Sequence, residues 1–131
     1  FSAPPPSPLS LPALPSLSDT SASLGARARD YLHSNCSYCH RPGASGQGPM
    51  DFRFTTSEVN SNVCNILPTQ GDLGIAGARL LLPGDPARSI VSARMHRLDN
   101  ARMPPIATSV VDDQGATLID SWIAGQSMCP N

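Results

Sequence analysis

The chain has 131 residues, of which 40% are hydrophobic, 15% charged and only 5% aromatic, which suits one domain whose core has few large rings to fill it. Nine arginines stand against ten acids, lysine is absent and the net charge is −1. That balance excludes a nucleic-acid binder working by bulk positive charge and equally an acidic disordered tail, and no apolar run is long enough to form a transmembrane segment.

Residues 1–20 open with FSAPPPSPLSLPALPSLS, in which six of the first 15 residues are proline. Proline at this density removes backbone donors and fixes φ, so the segment is expected to be an extended arm or linker. Leu9, Leu11, Leu14 and Leu17 are available to lie in a partner's groove, which makes the arm a candidate link to a larger complex. It has no basic leading region and no continuous apolar block, so it does not read as a signal peptide itself. Phe1 reads as a processed end or as the point where a larger chain was cut.

Residues 21–131 are expected to form the folded domain. Ser21 or Ser23 caps a first helix, with Leu24, Ala28, Tyr31 and Leu32 at helical spacing and an end near Ser34. The stretch RPGASGQGPMDF follows as a loop. Residues 52–77 show no clear period, only a short apolar patch at Val63, Ile66 and Leu67 and glycines at Gly71, Gly74 and Gly77. In PGDPARSIVSARMHRL, Asp85 is an N-cap and Pro86 takes the first helical position. A three-turn helix then carries Ile90, Val91, Met95 and Leu98 on one apolar stripe. After the loop NARMPPIATSV, Asp112 or Asp113 caps a last helix containing Leu118, Ile119, Trp122 and Ile123, with Gly125 as its stop. The expected fold is all-α, three or more helices joined by long loops. Loops of that length need something inside the domain to hold them.

Cys36-Ser37-Tyr38-Cys39-His40 is C-x-x-C-H, the attachment pattern of a c-type haem. Two thiols three residues apart at a helix end match the two vinyl groups on one porphyrin edge, and the adjacent imidazole can bind iron from beneath the ring. Rival readings fit less well. A thioredoxin-like dithiol needs a βαβ context, which is missing. A structural zinc site needs four ligands in short pairs, whereas Cys64 and Cys129 stand alone. A disulfide within the motif would be strained and leaves His40 without a role. A porphyrin would also supply the aromatic bulk that the composition lacks.

A second axial ligand would come from Met50, Met95, Met103, Met128, His33 or His96. His33 lies on the helix entering the motif, Met50 follows His40 closely, Met95 falls on the apolar stripe and His96 stands among arginines. Met103 precedes Pro104-Pro105, whose fixed dihedrals suit a thioether held over a cleft. The plain alternative is a core methionine that happens to precede prolines.

CSYCH, the middle helix opened by PGDP, the MPP loop and a last helix carrying LIDSWI together resemble a monohaem class I cytochrome c. The likeness is to the small bacterial modules found alone or fused behind dehydrogenases, and it covers roughly Leu24 to Ile123. The resemblance implies a cytochrome c-like fold with its loops wrapped around one covalent haem c. It further implies thioether links at Cys36 and Cys39, His40 as proximal ligand and Met103 as distal ligand, and first and last helices that cross with Tyr31 or Leu32 near Trp122. The Pro-rich arm, the segment around Cys64 and the extra cysteine pair depart from it. Because such haems are matured outside the cytoplasm, Cys64 and Cys129 are expected to form a disulfide, a closure worth about 4 kcal/mol in the chain-entropy picture. Two free buried thiols are the alternative.

A six-coordinate His40/Met103 iron has no open position and suits a change of oxidation state rather than substrate activation. The expectation is therefore an electron-transfer protein, not an enzyme, serving as a carrier or as a haem module or subunit of a dehydrogenase or respiratory complex. Redox proteins would be its donor and acceptor, with no nucleic acid involved, and its place would be periplasmic or otherwise extracytoplasmic in a bacterium. Two alternatives stay open: a five-coordinate haem enzyme or gas sensor if Met103 is not bound, and a structural haem-bearing subunit of a larger assembly. Arg41 is placed to pair with a propionate or to stand solvated. Arg94, Arg97 and Arg102 form either a basic docking rim or ordinary solvated surface. Asp112 and Asp113 serve as helix caps, and no phosphate loop or nucleophile–base set competes.

Overall fold

The computed structural model of the chain describes residues 4–7, 10 and 13–131. Among the described residues the architecture is all-α, with α1 (Leu24–Cys36), α2 (Ile90–Met95) and α3 (Asp113–Ala124), two 3-10 turns at Glu58–Ser61 and Pro86–Arg88, and no strands. Ser23 is the cap that α1 uses, its hydroxyl accepting from the Ala26 N–H at 3.1 Å. The helix runs past Ser34 to Cys36 and so leads directly into the CSYCH turn. Asp112 caps α3 by accepting from the Gly115 N–H at 3.0 Å, and Gly125 closes it.

Helices α1 and α3 lie against each other in opposite senses. Near the start of α1, a Cβ on Gly25 would come within 3.6 Å of the Trp122 indole; in its second half, Tyr31 closes over Gly115 so tightly that a Cβ there would collide with the phenol ring. Leu32 and Trp122 line one small pocket, as expected, whereas Tyr31 sits at the opposite end of α3, with its hydroxyl donating to Asp112 at 3.0 Å. Burial, and then the Asp112 carboxylate, push the Tyr31 hydroxyl well above its ordinary pKa. Ala28, Leu32, Ile119 and Ile123 are buried at this junction with Val63, Leu80 and Leu81 from the middle of the chain. Each large side chain taken out of water there contributes about 1.5–3 kcal/mol.

The middle helix is shorter than the sequence pattern predicts. Asp85 does cap a turn, accepting from the Arg88 N–H at 3.0 Å, but that turn is the 3-10 segment Pro86–Arg88. Ser89 then leaves helical geometry, with φ −100° and ψ 115°. Its hydroxyl donates to the Asp85 carbonyl at 2.8 Å and accepts from the Leu82 N–H at 2.9 Å. Arg79 bonds across the break in both directions: its N–H donates to the Arg88 carbonyl at 3.0 Å and its carbonyl accepts from Ile90 at 2.9 Å. A long-range pairing thus displaces the local helix signal, and α2 begins only at Ile90. It ends at His96, whose imidazole reaches Asp120 of α3 at 2.8 Å, so that Leu98 is exposed rather than part of the stripe.

The segment without a clear period is tied to the rest of the chain by an isolated parallel bridge, Cys64 with Leu81; a second such bridge, Arg79 with Ser89, lies just beyond it. The Leu81 N–H donates to Val63 at 3.1 Å, and the Asn65 N–H donates to Leu81 at 2.7 Å. Asn62 and Asn65 turn the chain with φ of 52° and 55°, a left-handed region that asparagine tolerates better than most residues. The sulfurs of Cys64 and Cys129 stand 2.12 Å apart, at disulfide-bonding distance, joining positions 65 apart in sequence. In the arm, Leu9 and Leu11 lie outside the described residues and Leu14 is exposed. Leu17 packs on the core, and its carbonyl accepts from Arg27 Nη1 at 2.9 Å. Among the described residues no helix is long and apolar enough to cross a membrane.

Candidate functional site

A cleft of about 660 Å³ opens between the end of α1, the face of α2 and the loops 45–52, 68–73 and 100–105. Its volume lies within the range of about 300–1,000 Å³ typical of sites that enclose a small molecule. The wall is mostly apolar, and Arg94 is the one charged side chain on it among the described residues. Cys36, Cys39, His40 and Met103 all line this cleft.

The motif is a tight turn off the end of α1. The Cys36 carbonyl accepts from the His40 N–H at 2.8 Å and the Cys39 N–H at 3.2 Å. Cys36 and Cys39 are free and half-buried. Burial, and then the neighbouring Cys39, push the Cys36 thiol up to about 12. It is therefore a thiol at neutral pH, unlike the low-pKa thiolate of a dithiol redox catalyst.

His40 is held by its surroundings rather than by hydrogen bonds from its ring. Phe52 packs edge-on against the imidazole, with centroids 5.8 Å apart and planes at 75°. The Phe52 N–H donates to the His40 carbonyl at 3.0 Å. The imidazole Nδ1 is buried and has no hydrogen-bond partner among the described residues. Burial, and then the Arg94 charge, lower the His40 pKa from its ordinary 6.5. The ring is thus neutral near pH 7, which is its metal-binding form. Gly46 lies behind the turn, its N–H donating to the Cys39 carbonyl at 2.8 Å. A Cβ at this position would collide with that carbonyl and reach His40 Nδ1 at 2.9 Å, so only glycine fits.

Beyond the motif the chain is anchored at Asp51, which is buried and accepts from Arg53 Nη2 at 2.6 Å and Thr56 Oγ1 at 2.9 Å. The Arg53 hydrogen bonds hold its carboxyl well below the usual carboxylate range, against an opposing push from burial.

The other candidate ligands separate by position. The His33 ring lies 3.1 Å from the Ser37 hydroxyl, His96 pairs with Asp120, and Met128 is exposed; none of the three lines the cleft. Met50 and Met95 line it together with Met103. Met95 belongs to the buried core and Met50 packs against that core, whereas Met103 stands outside it, half-buried on the cleft wall. The Met103–Pro104 peptide is cis, and the Met103 N–H donates to the Arg94 carbonyl at 3.0 Å.

Each of the three arginines in question is engaged by neighbouring groups. Arg97 pairs with Asp99 at 2.6 Å, Arg102 donates to the Leu98 and Asp99 carbonyls, and Arg94 donates to those of Ala101 and Gln70. Arg41 lies over the Tyr38 ring at 5.9 Å. Gly46, Phe52 and the Arg94 fork are contributions the sequence alone leaves unassigned. Phe52 carries a faint signal, as one of two phenylalanines just past a glycine-rich loop in an aromatic-poor chain. The other two arise from contacts between segments.

Among the described residues no three His, Cys, Asp or Glu side chains converge as a metal site. Comparison with protein-family models, with curated proteins and with solved structures found no match for this chain.

Proposed function

We propose that this chain carries one c-type haem and transfers electrons outside the bacterial cytoplasm, as a carrier or as the haem-bearing module or subunit of an oxidoreductase complex. One observation carries the reading: the CSYCH turn offers two free thiols and an imidazole to the same largely apolar cleft that Met103 lines. The residues present fit the group. Cys36 and Cys39 would hold the porphyrin through thioethers, and His40 and Met103 would offer its iron an imidazole and a thioether.

When bound, the haem supplies an iron that gains or loses one electron. The chain's own residues set the conditions for that exchange. His40 stands neutral, and Phe52 together with the space left at Gly46 fixes where its ring lies. The soft thioether of Met103 favours the reduced metal relative to a second nitrogen ligand. The apolar wall excludes water and disfavours the extra positive charge of the oxidised state. The pair Cys64 and Cys129, at bonding distance, agrees with an oxidising compartment.

The test is a visible spectrum of protein matured with haem-attachment machinery, oxidised and reduced, followed by CO on the reduced form. Sharp low-spin bands that CO leaves unmoved are expected. Bands that shift on CO would remove Met103 as a ligand and favour an open-site enzyme or sensor, and a colourless protein would end the haem reading.

A further inference from the structure

Arg94 is the one charged side chain on the cleft wall among the described residues, and its guanidinium is committed to backbone. Nη1 donates to the Ala101 carbonyl at 3.0 Å and Nη2 to the Gln70 carbonyl at 2.9 Å. These two carbonyls belong to different walls of the cleft, the 68–73 loop and the loop that carries Met103. The Arg94 carbonyl also accepts from the Met103 N–H at 3.0 Å, so the same residue grips the methionine loop from both main chain and side chain. No other side-chain hydrogen bond joins those two loops among the described residues. The planar fork of an arginine reaches two divergent acceptors with little loss of side-chain freedom, which an ammonium does not match.

We propose that Arg94 is a positioning residue that braces the two loops over the cleft and holds Met103 closed onto it. The inference rests on the electron-transfer reading and deepens it, by naming what keeps the sixth ligand in place. A small ligand from solution binds the iron only when the Met103 loop swings away, so its apparent affinity measures the open fraction of that loop. Losing two hydrogen bonds from a charged donor should raise that fraction about tenfold or more.

The experiment titrates imidazole into the ferric haem-loaded protein, following the weak red absorption band that a thioether sulfur on iron produces. Arg94→Gln is expected to bind imidazole about tenfold more tightly than the parent, with a weaker red band at the start. Arg94→Lys, which keeps the charge but not the fork, should recover only part of the difference. Arg97→Gln, altering a neighbouring arginine off the cleft, should behave as the parent. Urea unfolding of each variant separates loop opening from loss of the whole fold; an Arg94→Gln effect scaling with global stability alone would overturn the proposal. So would an unchanged imidazole affinity in Arg94→Gln, full recovery by Arg94→Lys, or a red band that survives Met103→Leu. A parent protein without haem would instead overturn the functional reading, and this one with it.

Discussion

Where α1 meets α3, side chains hold the molecule together: Ala28, Leu32, Ile119 and Ile123 are buried against one another and need no particular hydrogen bond. Around the cleft the holding is done by carbonyls. The Gly46 N–H bonds to Cys39, and Arg94 bonds to Ala101 and Gln70. Apolar burial is proportional to area and forgiving of direction, whereas each of these bonds is worth only about 1 kcal/mol net and depends on geometry. Damage to the helix junction should therefore appear as lost stability, and damage to the loops as an altered site on a folded protein.

The largest effect expected is at the motif itself. Cys36→Ser combined with Cys39→Ser should abolish covalent haem, read as no haem stain on the denatured chain. The fluorescence of Trp122 in that variant sharpens the contrast. A buried indole would show the helix junction standing alone, and an exposed one would show the cleft's occupant to be part of the core. Next comes Ile119→Ala, expected to cost about 2–5 kcal/mol in urea unfolding while leaving the haem bands in place. Gly115→Ala should cost about 1–3 kcal/mol, because its Cβ meets the Tyr31 ring; in a Tyr31→Leu background the same change should cost less, since the two sites share that contact.

The smallest effect is a dependence on pH. The Asp51 carboxyl is held below its ordinary range when folded, so its contribution to stability is full above the unfolded pKa of about 3.9 and fades as pH falls below it. The urea midpoint should drop between about pH 4 and pH 2, and Asp51→Asn should lose part of that drop. Arg53 is nearly half exposed, which keeps the contribution modest.

The elements legible in the sequence are those whose causes are local. Ser23, Asp85 and Asp112 are all used as caps because a cap needs only an oxygen and an N–H three residues on. The place of the CSYCH turn, at the end of α1, is legible for the same reason, since it follows from the helix that leads into it. The break at Ser89 is not, because its cause is Arg79, outside the PGDPARSIV pattern. The segment 52–77 has no period because it is held by the Cys64–Leu81 bridge and a few buried side chains rather than by a repeating face. Gly46 and Arg94 matter through the backbone they approach, and no residue pattern encodes that approach before the chain is folded.

Asp112 is shared by two tasks: one carboxylate oxygen caps α3 through the Gly115 N–H, and the other receives the Tyr31 hydroxyl. Tyr31 also lines the cleft. The start of α3 is thus joined to the cleft wall by a phenol and a single carboxylate. If a guest packs against that ring, hydrogen exchange at the Gly115 amide should slow when the cleft is filled, and Tyr31→Phe should uncouple the two.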